Sequence, residues 1–413
     1  MSASRQSIPG PDDIIRANLP NGITVLTRPN FNSPAVSIIG YLQVGSLFDP
    51  DEKLGLSDFT ASALMRGTTG HNFQDLYNTL ESVGASLTFS GATHTTGFNG
   101  KTLAEDIDLV LNILSDVLRH PTFPAKQIAQ LRTQHLTSLA IRAQNTGEMA
   151  SLTFDKIVYK DHPYSRPEDG YPETVKKITR EDLVKFHQTH YGPSGLVIAI
   201  VGAIDSQLAI EKVAETMGDW ENPDQPTPPN LPPVHPLTKV VKEKVNILGK
   251  FQSNIIIGSS GPPRNSSDYL AAALGNSVLG QFGMMGRIGE VVREKAGLAY
   301  YAYSSLSGGV GPGPWSVTAG VNPANVDKVN DLIREEIRRF VSEPVSEEEL
   351  NDSRESSIGM MPLALESNLG VATAILNIVR YNLGLDYYRK FEEMLRAITV
   401  DQVLKTAQRY LDP

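Results

Sequence analysis

This chain of 413 residues contains no cysteine. That absence excludes disulfides, thiolate-bound zinc, iron–sulfur clusters and a cysteine nucleophile together. Histidine is scarce too: there are eight, so any metal site must be built from those imidazoles with Asp and Glu. No apolar run approaches the roughly 18 residues of a membrane-spanning helix, so no membrane span is expected. Residues Met1 to Arg16 lack the apolar core of a secretory signal, which makes a cytoplasmic protein the expectation. Basic charge is in deficit as well: 37 Lys and Arg face 46 Asp and Glu, for a net charge of −9. Nucleic-acid binding wants a basic face, so no nucleic-acid partner is expected.

Hydrophobic residues at 40% and charged residues at 20% describe an ordinary folded chain. A single core stops growing at roughly 250–300 residues, so at least two domains are predicted. The break falls at Glu221–Pro236, ENPDQPTPPNLPPVHP, where seven prolines fix an extended course and remove backbone donors. The chain therefore divides into a first half over 1–220, a proline-rich linker over 221–240 and a second half over 241–413.

The halves read as copies of one unit. Ile107, Val110, Leu111, Leu114, Val117 and Leu118 follow helical spacing after a predicted capping box at Thr102 and Glu105. Val326, Val329, Ile333, Ile337 and Phe340 repeat that spacing after Asn322-Pro323. Each helix leads to a proline, Pro124 or Pro344, and then to another helix. ITREDLVKFHQTHY at Ile178–Tyr191 matches ITVDQVLKTAQRYL at Ile398–Leu411, with Thr179 and Thr399 as helix caps. These correspondences hold one offset, 219 or 220 residues. Strand-like runs open each half, at Gly22–Arg28 and Ala35–Val44 and then at Ser253–Gly258. The predicted fold class is α+β, with two homologous halves, each an antiparallel sheet with helices packed on one face. After Tyr191 comes GPSGLVIAIVG, a buried strand; after Leu411 only two residues follow, so the second copy is expected to lack its last strand.

LPNGITVLTRP at Leu19–Pro29, followed by VGSLFDPDEKLGLSDFTASALMRGT at Val44–Thr68, resembles the insulinase/pitrilysin family of zinc metallopeptidases, the inverted zincins. The resemblance extends to the duplication, the proline linker and DHPYSRP at Asp161–Pro167. In active members the helix after the glycine carries H-x-x-E-H: two histidines bind zinc and the glutamate is the general base. Here those three positions fall on Asp58, Ala61 and Ser62. The segment Lys126–Gly147, where the resemblance implies a third ligand, has no Asp or Glu. No zinc is expected in this chain. Asp58 and Ser62 share a helix face but make a poor zinc pair. His187 and His190 sit three apart on a helix that recurs in the second copy with Ala407 and Tyr410, which favours packing over chelation. His94 lies in a strand-like segment, and His135 is expected to be packed or solvated.

In the second half VVREKAGLAYY gives Arg293 and Tyr300, matching the R-x-x-x-x-x-x-Y of the family. The resemblance implies that both reach a substrate peptide in a closed chamber. A guanidinium and a phenol are donors suited to the oxyanion of an attacked amide. Strand alternation places Tyr301 and Tyr303 together, on the face opposite Tyr300. Ser304–Pro314, SSLSGGVGPGP, is followed by a strand and so reads as a hairpin rather than a phosphate loop. Leu279–Gly289 lies where the non-catalytic subunit of the mitochondrial processing peptidase has a glycine-rich loop, but it lacks that run of glycines. Lys239–Lys250 reads as a solvated strand. The resemblance thus implies the non-zinc subunit of a heterodimer, inactive alone, whose partner is a homologous chain with H-x-x-E-H that holds the zinc and whose substrate is a peptide. The alternatives are a structural subunit, like the core proteins of the respiratory cytochrome complex, and a peptide-binding protein without proteolytic role.

Overall fold

A computed structural model describes residues 8–413. The first half contributes β1 (Ile15–Asn18), β2 (Thr24–Pro29), β3 (Ala35–Leu42), α1 (Leu56–Ala63), α2 (Phe73–Ser82), β4 (Ser86–Gly91) and β5 (Thr96–Leu103). It continues through α3 (Ile107–Arg119), α4 (Ala125–Arg142), α5 (Thr146–Val158), α6 (Pro172–Val175), α7 (Arg180–His190), β6 (Val197–Gly202) and α8 (Ser206–Met217). The second half comprises β7 (Ser253–Ser260), α9 (Tyr269–Gly280), α10 (Phe282–Gly289), a π-helical turn over Glu290–Lys295, β8 (Ala299–Gly308) and β9 (Pro312–Val321). Five helices complete it: α11 (Val326–Ser342), α12 (Glu347–Ala364), α13 (Asn368–Arg380), α14 (Tyr387–Arg396) and α15 (Val400–Tyr410).

The first sheet has six strands in the order β1-β2-β6-β3-β5-β4. All pairs are antiparallel except β2 with β6, which is parallel. That pair departs from a wholly antiparallel sheet because β6 returns from a long helical excursion and inserts between β2 and β3. Its sequence VIAIVG is buried throughout, as a strand covered on both faces requires. On one face lies the main core, where the helical stripe of α3 meets Ile38, Ile198 and Ile200. The other face carries Leu26, Ile39, Tyr41, Val197, Ala199 and Val201, and it is covered by Val371, Ala372, Ala374, Ile375 and Ile378 of α13. A helix of the second half thus closes the sheet of the first, which the one-sided packing read from the sequence did not anticipate.

The exchange is reciprocal. α5 packs on β7 of the second sheet, and Thr146 Oγ1 donates to Asn254 Oδ1 at 2.9 Å. The caps of α5 and α13, Asn145 and Ser367, lie 222 residues apart. α7 and α15 carry the same capping box: Asp182 and Gln402 accept from the backbone of Thr179 and Thr399, whose hydroxyls accept in return. The predicted box at Thr102 does not form, because Thr102 is the buried penultimate residue of β5 and α3 begins only after a 3₁₀ turn.

The second sheet holds three strands, β7-β9-β8. β7 pairs with β9 in the register of β3 with β5, both strands shifted by 218 residues. Ser304–Pro314 forms the β8–β9 hairpin as read. Residues 221–252 contain no strand, so Lys239–Lys250 is not the strand read from its composition: it has no neighbour to pair with.

Candidate functional site: a closed metal position and an open Arg/Tyr edge

α1 begins after Gly55, whose φ of +95° suits glycine alone at this tight turn. The buried Asp49 caps it, its carboxylate accepting from the Gly55 and Ser57 amides, both at 2.9 Å. Burial pushes the Asp49 carboxyl up to about 7, against the pull of those two amides. On this helix Asp58 and Ser62 are half-buried, one turn apart, while Ala61 is wholly buried. The helix lies hard against β4: a Cβ on Gly91 would stand 2.6 Å from the Asp58 Cα.

His135 of α4 meets Asp58. Its Nδ1 lies 4.0 Å from Asp58 Oδ2, its Nε2 donates to the Asp169 carbonyl at 2.8 Å, and its ring packs edge-on to Phe59. Arg142, two turns further along α4, pairs with the Asp169 carboxylate and donates to the Gly170 carbonyl at 2.7 Å. Glu168 accepts from the amide and the hydroxyl of Thr93, both at 2.6 Å. The Asp58 carboxyl is raised to about 6, chiefly by burial; His135 opposes the rise, and Asp169 and Glu168 add to it. An acid–imidazole pair therefore occupies the ground where the family motif would place zinc ligands. These side chains do not fit zinc: one carboxylate and one imidazole face each other, and Ser62 adds only a hydroxyl. Among the described residues no group of three His, Cys, Asp or Glu side chains is placed to hold a metal ion.

The other histidines singled out above are held by hydrogen bonds or packing. His187 hydrogen-bonds the Leu118 carbonyl at 2.8 Å, and burial lowers its pKa to about 4. His190 packs between Phe48 and Phe186. His94 lies in the β4–β5 turn rather than a strand and bonds the Tyr164 hydroxyl at 2.7 Å. That hydroxyl accepts from the Gly311 amide at 2.9 Å, so the DHPYSRP turn touches the β8–β9 hairpin across the two halves.

Arg293 and Tyr300 are placed differently. Arg293 lies on the π-helical turn, its Nε 3.8 Å from a Glu294 carboxylate that is itself well exposed. Tyr300 is 66% exposed and is the extra residue of a β-bulge between Ala299 and Tyr301. Bulges re-aim side chains, and this one turns Tyr300 outward. Tyr301 and Tyr303 lie together with ring centroids 5.9 Å apart, as alternation predicts, and Tyr301 bonds Asn254. Upstream, Gly283, Met285 and Gly286 have positive φ and break α10 over Gly283–Gly286, which leaves Phe282 and Met284 exposed.

Residues 24–167 match the family described as Insulinase (Peptidase family M16), and residues 177–357 match the one described as Peptidase M16 inactive domain. The chain belongs to peptidase family M16. An uncharacterized zinc protease of Mycobacterium leprae is 26% identical over 97% of this chain and 89% of its own length. One of Streptomyces coelicolor is 26% identical over 85% of this chain and 77% of its own. Among solved structures, a peptidase M16 inactive domain from Pseudomonas fluorescens superposes with a TM-score of 0.88 at 24% identity, covering 97% of this chain and 95% of that one. The α+β fold is thus that of M16 inactive-domain proteins. Together with the match to the inactive domain, the altered motif supports a non-catalytic M16 chain. Sequence reading missed the role of His135, because its 77-residue separation from Asp58 carries no local signal.

Proposed function

We propose that this chain is the non-zinc subunit of a two-chain M16 peptidase. It closes against a homologous subunit with an intact H-x-x-E-H helix, holds a peptide in the enclosed space, and presents Arg293 and Tyr300 as hydrogen-bond donors to the oxyanion of the attacked amide. The supporting observation is the contrast between the two positions. Asp58 is packed against β4 and faces His135, whereas Tyr300 projects from a bulge and the Arg293 side chain is half-exposed.

The test is reconstitution with a zinc-bearing M16 chain and measurement of peptide cleavage. Arg293→Ala is expected to lower kcat by about 10²–10³ while the unfolding midpoint stays put. An unchanged rate would identify a scaffold instead. Chelator-sensitive cleavage by the isolated chain would overturn the assignment outright.

A further inference from the structure

Arg293 rides on a helical run whose start is broken. Gly283, Met285 and Gly286 take φ of +58°, +75° and +61°, so regular helical backbone begins afresh at Arg287. Three residues on, the run widens into the π-helical turn over Glu290–Lys295 that carries Arg293. Such turns are rare and recur at functional sites. A run this short needs side chains to hold it. Ile288 and Val292 are wholly buried in the second core and fix its depth. Its first residue is fixed by charge. Arg287 Nε and Nη2 donate to the two carboxylate oxygens of Glu349, each at 2.7 Å. Glu349 is itself held in the capping box of α12, where it accepts from the Ser346 amide at 2.8 Å. The Arg287 fork holds the Glu349 carboxyl down to about 2. The same guanidinium, only 12% exposed, lies over the Phe340 ring of α11 at 5.8 Å. Its remaining nitrogen, Nη1, stands 3.9 Å from Oε1 of the buried Glu336 on α11. Neither of those two atoms has a hydrogen-bond partner among the described residues. A two-point bond of this kind admits one geometry.

We propose that Arg287 is a positioning residue: clamped between α11 and α12, it sets the register of the helical run and so places the Arg293 guanidinium. The proposal rests on the reading of Arg293 as a donor to the oxyanion. Gly283–Gly286 gives the run no regular backbone to continue, so the clamp does what a preceding helical turn does elsewhere. Without it the run rolls on Ile288 and Val292. A donor that must stand about 3 Å from the oxyanion then misses it. Lysine cannot take over, because a single ammonium makes no fork.

The absence of cysteine makes the test direct, since Arg293→Cys in the full chain takes a single nitroxide label at that position. Arg287→Lys and, separately, Glu349→Gln are expected to raise the label's mobility at least twofold. Glu349→Gln keeps the capping box, because Gln serves at that helix position as Glu does. The control Arg338→Ala, which removes an exposed pair on α11, is expected to leave mobility unchanged. With Arg293 intact and the zinc-bearing chain present, Arg287→Lys is expected to lower kcat about tenfold with KM within twofold. Added to Arg293→Ala it is expected to cost less than a further twofold, because a residue acting through Arg293 has nothing left to place. An unchanged label in both variants overturns the proposal, and so does an equal rise with Arg338→Ala. A full further tenfold loss in the Arg293→Ala background overturns it too, by giving Arg287 a role of its own. An unchanged rate for Arg293→Ala overturns the oxyanion reading and the catalytic consequence drawn here, while the label, read in the isolated chain, separately decides whether Arg287 sets the register.

Discussion

The two sheets are covered to different degrees. Around β6 every strand has two neighbours or a helix above it, and α13 seals the remaining face with side chains that have almost no exposure. Around β7 the cover is thinner: its eight residues are half-exposed, and Leu248 and Phe251 just ahead of it are in the open. The chemistry runs the opposite way. The first half fills the position of the family's zinc motif with Asp58 facing His135, whereas the second half keeps the Tyr300 phenol exposed and the Arg293 guanidinium half-exposed. Burial and usefulness have been exchanged between the copies.

The sharpest way to break this comparison is to cut matching helix positions. Ile375→Ala in α13 empties a wholly buried site and is expected to cost about 2–5 kcal/mol, read from denaturant midpoints. Thr153→Ala, at the corresponding place in half-exposed α5, is expected to stay within about 1 kcal/mol. Equal losses would show that the two helices are equally anchored. Next in size is Asp49→Ala, which strands two amides at the start of α1 and is expected to cost about 1–3 kcal/mol. Asp268, ahead of α9, makes no such cap and instead meets Arg409 and Tyr410 near the surface, so Asp268→Ala is expected to cost about 1 kcal/mol or less.

A smaller effect is set by pH. Asp58 has a folded pKa of about 6 against an ordinary 3.8, so the folded chain holds that proton more tightly than the unfolded one. Its stabilising contribution is complete below about pH 4 and is lost as pH rises through 6. Asp58→Asn is therefore expected to flatten melting temperature against pH between 4 and 7, and to melt higher than the parent above pH 7. A steeper profile in the variant would instead show that the His135 attraction outweighs burial. The smallest stability effect expected is that of Tyr300→Phe, within about 0.5 kcal/mol, because the hydroxyl is exposed on a bulge.

Much of this was legible in the chain itself. Helical periodicity and the paired threonine caps located α3, α7, α11 and α15, and VIAIVG announced a buried strand. The altered motif at Asp58, Ala61 and Ser62 could be read position by position. Long-range partnership could not be read. Nothing local in α5 or α13 says that each crosses to the opposite sheet, because an apolar stripe records that a face is buried and not against what. His135 likewise gives no hint of Asp58. The Lys239–Lys250 misreading has the same root: strand propensity in that segment goes unrealised without a neighbour to supply the ladder.

The crossing of α13 also matters while the chain is being made. Leu26, Ile39 and Tyr41 are synthesised early, and their cover arrives only with Val371 to Ile378, some 330 residues later. Even after β6 is complete, at about 5–20 residues per second the sheet waits on the order of ten seconds or more for its lid. During that interval the nascent first half displays a broad apolar face beside the ribosome. Apolar surface left uncovered in this way is aggregation-prone until its cover arrives.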